Sequence, residues 1–442
     1  MRTRAFCAVA LILTLAACEG SPTLPAGVRV SGTPNPPGSA PHCHRLARIR
    51  AHLESDPAPW KTNIERLANG YSVGIAVGVR GLALYEHDAR RHRTPASNEK
   101  LMLSMALFDR LGPHYRIRTR AMARRVEGGE VSGNLWLVGA GDPTLTQKQP
   151  HYWGGALTSP TLEELAEKVR SAGIKTIAGG VRGSTAPFAH DFYAPGWKPY
   201  VPRSYVQLAA ALSLNGNFHV RGRPERVAAR AFSHQLGRRG IEIESPLGTG
   251  RAPAKLSPIA QVKSAPLTDV VAYMDQTSNN FFAEMLGKLL GTKVFGSPGT
   301  IRKGARAIAA WTQRAGVSIG AEDSSGLSYR DKVSPLGLMR LLGTSERRPW
   351  GATLRQDLAA PGEGTLAGRL AGLDVHAKTG TLFNSDSALS GWVRRNEDSP
   401  WVEFSILDQN MPKAVEDQIV GAIATAAIRV PAHAGLLRSA CL

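Results

Sequence analysis

The chain is poor in cysteine, in aromatic residues and in acid: 4 Cys, 6% aromatics, and 35 Asp and Glu against 54 Lys and Arg. No apolar run reaches the roughly 20 residues that a membrane-spanning helix needs, and no segment repeats with a fixed period. There is no G-x-S-x-G elbow, so a Ser-His-Asp hydrolase has no support. Gly139-Ala140-Gly141 does not extend to G-x-G-x-x-G, so a dinucleotide fold has none either. Neither H-E-x-x-H nor a paired-Cys motif is present. His42-Cys43-His44 has the right residue types for a metal, but adjacent residues cannot all face one ion. No metal and no cofactor is expected.

What is present reads as a globular chain. With 442 residues, 43% hydrophobic and 20% charged, it can hold two domains, or one large domain with an insertion. Arg2 and Arg4 precede an apolar stretch, Ala5 to Leu15, that is too short to span a bilayer. Leu15-Ala16-Ala17-Cys18 resembles a lipobox, which makes Cys18 a lipidation site and residues 1–18 a lipoprotein signal peptide. The alternative is an ordinary signal peptide cut after a small residue. Glu19 stands where Asp would retain a lipoprotein in the inner membrane, which favours an outer-membrane anchor facing the periplasm. Residues 19–45, rich in Pro, Gly, Ser and Thr up to Pro41, read as a flexible tether. Cys43 and Cys441 then remain, and an oxidising periplasm permits a disulfide between them, with two free thiols as the alternative.

The net charge of +19 belongs to scattered basic residues without interleaved aromatics. For an exported protein this reads as attraction to anionic envelope polymers or lipid head groups, and no nucleic-acid partner is expected.

The patterning predicts a short helix at Leu46–Leu53 and strands at Ser72–Val79 and Leu82–Glu86 joined by an Arg80-Gly81 turn. A helix is expected over Asn98–Leu111, ended by Gly112-Pro113. From about Tyr115 to Pro266 the texture changes to short strand-like runs, Gly133–Gly139 and Ile177–Gly183, with one clear helix, Thr161–Ala172, capped by Thr161. Leu267–Leu290 reads as helix, polar break at Gln276–Asn280, helix, and a further helix covers Ile301–Ala315. Strands return from Val375 to Leu407, with a hairpin around Phe383–Ser387. Strands near both ends thus flank helices, and a separate stretch interrupts them.

Ser97-Asn98-Glu99-Lys100 is the only S-x-x-K. At the start of a helix, Ser and Lys three apart share a face. The positive end of the helix dipole favours an alkoxide and disfavours a protonated Lys, so a desolvated Lys100 can take the Ser97 proton. By itself this is a near-chance match, and a surface Ser capping a helix is the plainer reading. Lys378-Thr379-Gly380-Thr381 is rarer by chance. On a strand lining a cleft, it can bind a carboxylate and aim a backbone N–H at an oxyanion. An S-x-N element has three candidates: Ser132-Gly133-Asn134, Ser213-Leu214-Asn215 and Ser278-Asn279-Asn280. The first two lie in turn-like sequence, where Ser and Asn are ordinary. Ser278 lies at the break between two helices, so it is assigned.

P-A-S-x-x-K, S-x-N and K-T-G in this order resemble the signature of penicillin-binding proteins and serine β-lactamases. Gly141-Asp142-Pro143-Thr144-Leu145, His190 to Trp197, Asp323 to Ser328 and Gly364-Thr365-Leu366 resemble one branch, the D-alanyl-D-alanine carboxypeptidase/endopeptidase family of the penicillin-binding protein 4 type. The resemblance implies an α/β fold, an antiparallel sheet flanked by helices, with a smaller inserted α/β domain. The catalytic domain would be residues 46–115 and 265–442, and the insert residues 116–264. It implies that Ser97 is acylated by the D-Ala carbonyl, that Lys100 is its base, that Ser278 passes protons and that Asn280 holds the substrate amide. Lys378, Thr379 and Gly380 would line the cleft. Thr381 would contact the terminal carboxylate, with its N–H and that of Ser97 as oxyanion hole. Asp191 would read the free amino group of a peptidoglycan stem side chain, a helix or turn cap being the other reading. Asp142 and Asp323 are expected to be turn formers. The implied partners are peptidoglycan peptides and β-lactam antibiotics.

One departure matters. After Asn215-Gly216-Asn217 the chain passes quickly to Pro224–Ile241, so a second inserted subdomain of the family is missing. Two other readings share the motifs. A β-lactamase or esterase would lack the long insert, and a non-catalytic wall-binding protein would have no need of every motif residue.

Overall fold

A computed structural model describes residues 58–427, apart from 149–152, 154–156, 219 and 384–385. The leader, Cys18, the tether, Cys43, Cys441 and the helix expected at Leu46–Leu53 lie outside the described residues. No helix among the described residues is long and apolar enough to cross a membrane.

The two ends of the described chain build one sheet. Strands β1 (Ser72–Val79) and β2 (Leu82–His87) form a hairpin, and β1 pairs antiparallel with the last strand, β14 (Val402–Gln409). Strands β12 (Asp374–Thr381) and β13 (Asp386–Arg394) complete the order β12-β13-β14-β1-β2. Seven of eight residues in β1 are buried, because both faces of the sheet are covered. On one face Ile75, Leu389, Phe404 and Ile406 pack with Trp60 and Ile64 of α1 (Pro59–Ala68) and with Ile419 and Ile423 of the final helix, Lys413–Ala424. On the other, Ala388, Trp392 and Leu407 meet the helical layer: α2 (Glu99–Leu111), the helices Leu267–Gln276, Asn280–Phe295 and Ile301–Arg314, and the helix Pro335–Ser345. Burying each such side chain stabilises the layer by roughly 1.5–3 kcal/mol. The strand β12 is left at the sheet edge beside these helices, and the site lies along that seam.

The strands between Arg118 and Lys263 pair among themselves in two further sheets: Gly248–Gly250, Val181–Ser184, Leu135–Val138, Arg118–Ala123 and Ser257–Lys263 lie side by side in that order in one, and Val126–Glu127, Glu130–Val131, Thr176–Ile177 and Glu242–Ile243 in the other. A separate core of Leu135, Leu137, Leu165, Val169, Phe232 and Leu236 underlies them. The expected α/β fold is present. The helix after Thr161 starts as the cap predicts, with Thr161 Oγ1 accepting from Glu164 N at 2.9 Å. The run Ile177–Gly183 is not one strand. Thr176–Ile177 and Val181–Ser184 belong to different sheets, broken at Ala178-Gly179-Gly180. There is no room there for side chains: a Cβ at Gly179 would come within 2.4 Å of the Gly133 backbone.

Candidate active site

Ser97 stands just before the expected α-helix, in a single tight turn, Ala96–Asn98, that runs into α2. Ala96 is held at φ 47, a left-handed backbone that costs an L-residue about 1–2 kcal/mol. Neighbouring glycines hold it there. Gly326, at φ +79, presses so closely that a Cβ would stand 1.8 Å from Ala96 O; a Cβ on Gly380 would stand 3.0 Å from Ser97 N. A loop and the edge strand thus close on the serine turn from two sides, and the loop's approach is open only to glycine. Asn98 ties the turn to the sheet, with Nδ2 donating to Ser390 Oγ at 2.8 Å and Ser390 Oγ donating in turn to Ser405 Oγ at 3.0 Å.

One helical turn later, Lys100 is fully buried. Its Nζ donates to Ser97 Oγ at 3.0 Å, to Asn280 Oδ1 at 2.8 Å and to Ser325 O at 2.6 Å. These use all of an ammonium's donors. Burial lowers its pKa to about 8, against the opposing pull of Asp323, Asp275, Glu284 and Glu99. A neutral amine at this position can accept the Ser97 proton along the same line.

Ser278-Asn279-Asn280 forms the break between two helices. Ser278 adopts φ 54 and is half-buried. Asn279 caps the next helix, its Oδ1 accepting from Phe282 N at 3.0 Å. Asn280 opens that helix, meets Lys100, and donates through Nδ2 to Tyr205 O at 3.3 Å. The other S-x-N candidates lie elsewhere: Asn134 Oδ1 accepts from Gly180 N and Asn215 Oδ1 from Gln147 N, so each pins the backbone of a distant segment.

Lys378 projects from β12 and is fully buried, Nζ donating to Thr379 O at 2.8 Å. Burial, then the nearby Lys100 charge, lowers its pKa to about 7. Thr379 is buried and Thr381 exposed, with Thr381 Oγ1 donating to Gly380 O at 2.8 Å. Asp275 belongs to none of the three motifs. It is buried, accepts from Ser104 Oγ at 2.7 Å, and is electrostatically coupled to both lysines. Burial raises its pKa to about 7 while Lys378 pulls it down. A lone Asp near a helix end carries no sequence signal.

Asp191 is bonded away from Ser97. Oδ1 forms an ion pair with the buried Lys288 Nζ at 2.8 Å, and Oδ2 accepts from Ile301 N, at the start of a helix, at 2.8 Å. Lys288 Nζ also donates to the carbonyls of Ala189, Asp191 and Ala209. Asp142 accepts from Thr144 N and Oγ1, while Asp323 accepts from the N–H groups of Ser325, Gly326 and Ser328 and from Trp197 Nε1. Both form turns, and the Asp323 turn presents Ser325 O to Lys100.

A serine joined to a desolvated lysine rather than to a histidine, set between a helix start and a sheet edge, defines the penicillin-recognising class of serine hydrolases. Within that class the chain belongs to the D-Ala-D-Ala carboxypeptidase 3 (S13) family, whose profile matches residues 65–221 and 209–429. It is a serine-type D-alanyl-D-alanine carboxypeptidase. It is 26% identical, over 88% of its length and 86% of the relative's, to the D-alanyl-D-alanine carboxypeptidase of Actinomadura sp. strain R39. It is 29% identical to carboxypeptidase DacB of Mycolicibacterium smegmatis, over 71% of each chain. Penicillin-binding protein 4 of Haemophilus influenzae shares the fold, with a TM-score of 0.69 at 19% identity over 82% of this chain and 98% of that one.

Proposed function

We propose that Ser97 and Lys100 carry out acyl transfer from D-Ala-D-Ala stem peptides. Neutral Lys100 takes the Ser97 hydroxyl proton as Oγ attacks the penultimate D-Ala carbonyl. The C–N bond then breaks, the proton passes to the departing D-Ala amine through Ser278 and Lys100, and a Ser97 ester remains. Water hydrolyses the ester by the same proton route in reverse. Backbone N–H groups of Ser97 and Thr381 hold the oxyanion, Asn280 holds the substrate amide, and Thr379 and Thr381 with Lys378 take the terminal carboxylate end. The observation that carries this is the buried Lys100 Nζ bonded at once to Ser97 Oγ and Asn280 Oδ1.

Residues 116–264 would act as an inserted domain that borders the cleft, and Asp191 as a reader of the stem-peptide amine. That role competes with its present bonds to Lys288 and Ile301. The leader supports export to the periplasm with a lipid on Cys18. The protein would then work from the membrane surface on wall peptides, and would be acylated by penicillins at Ser97. Release of D-Ala from a pentapeptide, lost in Ser97→Ala, is the direct test. Cleavage of a β-lactam without D-Ala release would replace this reading by a β-lactamase.

A further inference from the structure

Lys413 is the first residue of the final helix, Lys413–Ala424. A cation there opposes the helix dipole, whose N-terminal end is positive. Acids one turn on along the same helix could offset it, but they are engaged by other groups. Arg369 Nη2 holds Glu416 Oε2 at 2.7 Å and Asp417 Oδ1 at 2.6 Å, and Ser387 Oγ donates to Glu416 Oε1. The same Arg369 nitrogen donates to the Lys413 carbonyl at 3.4 Å, which fixes the start of the helix. The Lys413 side chain turns instead to the sheet edge, where Nζ donates to Thr381 Oγ1 at 2.7 Å. Among the described residues it forms no ion pair with a carboxylate, and it is exposed.

Two lysines therefore border the K-T-G-T strand in opposite conditions. Lys378 is fully buried and bonded to Thr379 O, with its charge disfavoured. Lys413 stands in water with an unneutralised charge at Thr381, the last residue of the strand. Thr381 Oγ1 has its hydrogen directed to Gly380 O and its oxygen to Lys413. Turned away from Gly380 O, this hydroxyl would donate its one hydrogen to a carboxylate, which would then lie within about two hydrogen-bond lengths of Lys413 Nζ. An ammonium at that range attracts a carboxylate and offers nothing specific to a neutral amide.

We infer that Lys413 is a specificity-determining residue: it receives the free C-terminal carboxylate of the leaving D-Ala together with Thr381. The inference rests on the proposed carboxypeptidase reading and adds to it a residue outside the three sequence motifs. It makes the free carboxylate a recognised feature of the substrate.

The test uses the full chain, wild type, Lys413→Ala and Lys413→Arg. The substrates are an N-acylated peptide ending in D-Ala-D-Ala and the same peptide with a terminal carboxamide. The ratio of kcat/KM for acid over amide falls about tenfold in Lys413→Ala, mainly through KM, and Lys413→Arg restores most of it. Added salt lowers the wild-type ratio, because the charge is exposed. An unchanged ratio in Lys413→Ala overturns the inference while leaving the carboxypeptidase reading intact. A wild-type protein that cleaves neither peptide overturns both.

Discussion

Asn280 Oδ1 accepts a hydrogen bond from Lys100 Nζ at 2.8 Å, joining two motifs 180 positions apart in the chain. The contact orients the amine toward Ser97 and holds the break between two helices against α2. Replacing Asn280 by Ala removes this bond and the one to Tyr205 O. Misplacing a reacting amine by about 1 Å costs on the order of 10²-fold. Asn280→Ala is therefore expected to lower kcat/KM for D-Ala release by roughly 10- to 100-fold, with little change in melting temperature. Loss of folding with no selective loss of activity would count against this.

In the proposed mechanism the rate of acylation depends on a neutral Lys100. Burial places its pKa at about 8, so the neutral fraction, and with it the acylation rate, rises with pH toward that value. Asp275 stabilises the charged forms of both Lys100 and Lys378. Asp275→Asn removes that anion and moves the ascending limb to lower pH, by roughly half to one unit. The rate of penicillin acylation measured across about pH 6 to 9 checks the sign. An upward shift would contradict it.

Gly326 lets the Asp323 turn close on the serine. A Cβ there would stand 1.8 Å from Ala96 O, and the backbone is at φ +79. Relief requires the loop or the Ala96 turn to move. Gly326→Ala is expected to cost about 1–3 kcal/mol and to slow acylation. Thermal denaturation and the acylation rate should therefore worsen together.

Lys288 binds several backbone carbonyls and Asp191 from a fully buried position. Lys288→Met keeps the volume but leaves these acceptors and the Asp191 charge without their cation. Asp191 keeps a third of its side chain in water, so the cost is that of the orphaned acceptors, about 1–3 kcal/mol, and denaturant unfolding should shift by that order. A shift well below about 1 kcal/mol would mean that water replaces the ammonium freely.

Much of the frame was legible before the structure. The hairpin from Ser72, the break at Gln276–Asn280 and the edge hairpin near Phe383 carry local signals of alternation, polar interruption and turn residues. The site's motifs were legible as residue types in order. Other features carry no local signal. The helix Pro335–Ser345 is apolar on nearly all sides, so it shows no amphipathic stripe. The split of Ile177–Gly183 between two sheets follows from backbone crowding at Gly179 and Gly180. Asp275 and Lys413 matter only because distant segments bring them to Lys378 and Thr381, and no spacing in the chain encodes that.

The most direct measurement of the central claim is intact-mass and peptide mapping after incubation with a fluorescent penicillin. A single acyl adduct on Ser97, absent in both Ser97→Ala and Lys100→Ala, is the predicted result. An adduct on another residue, or undiminished labelling in Lys100→Ala, would contradict it.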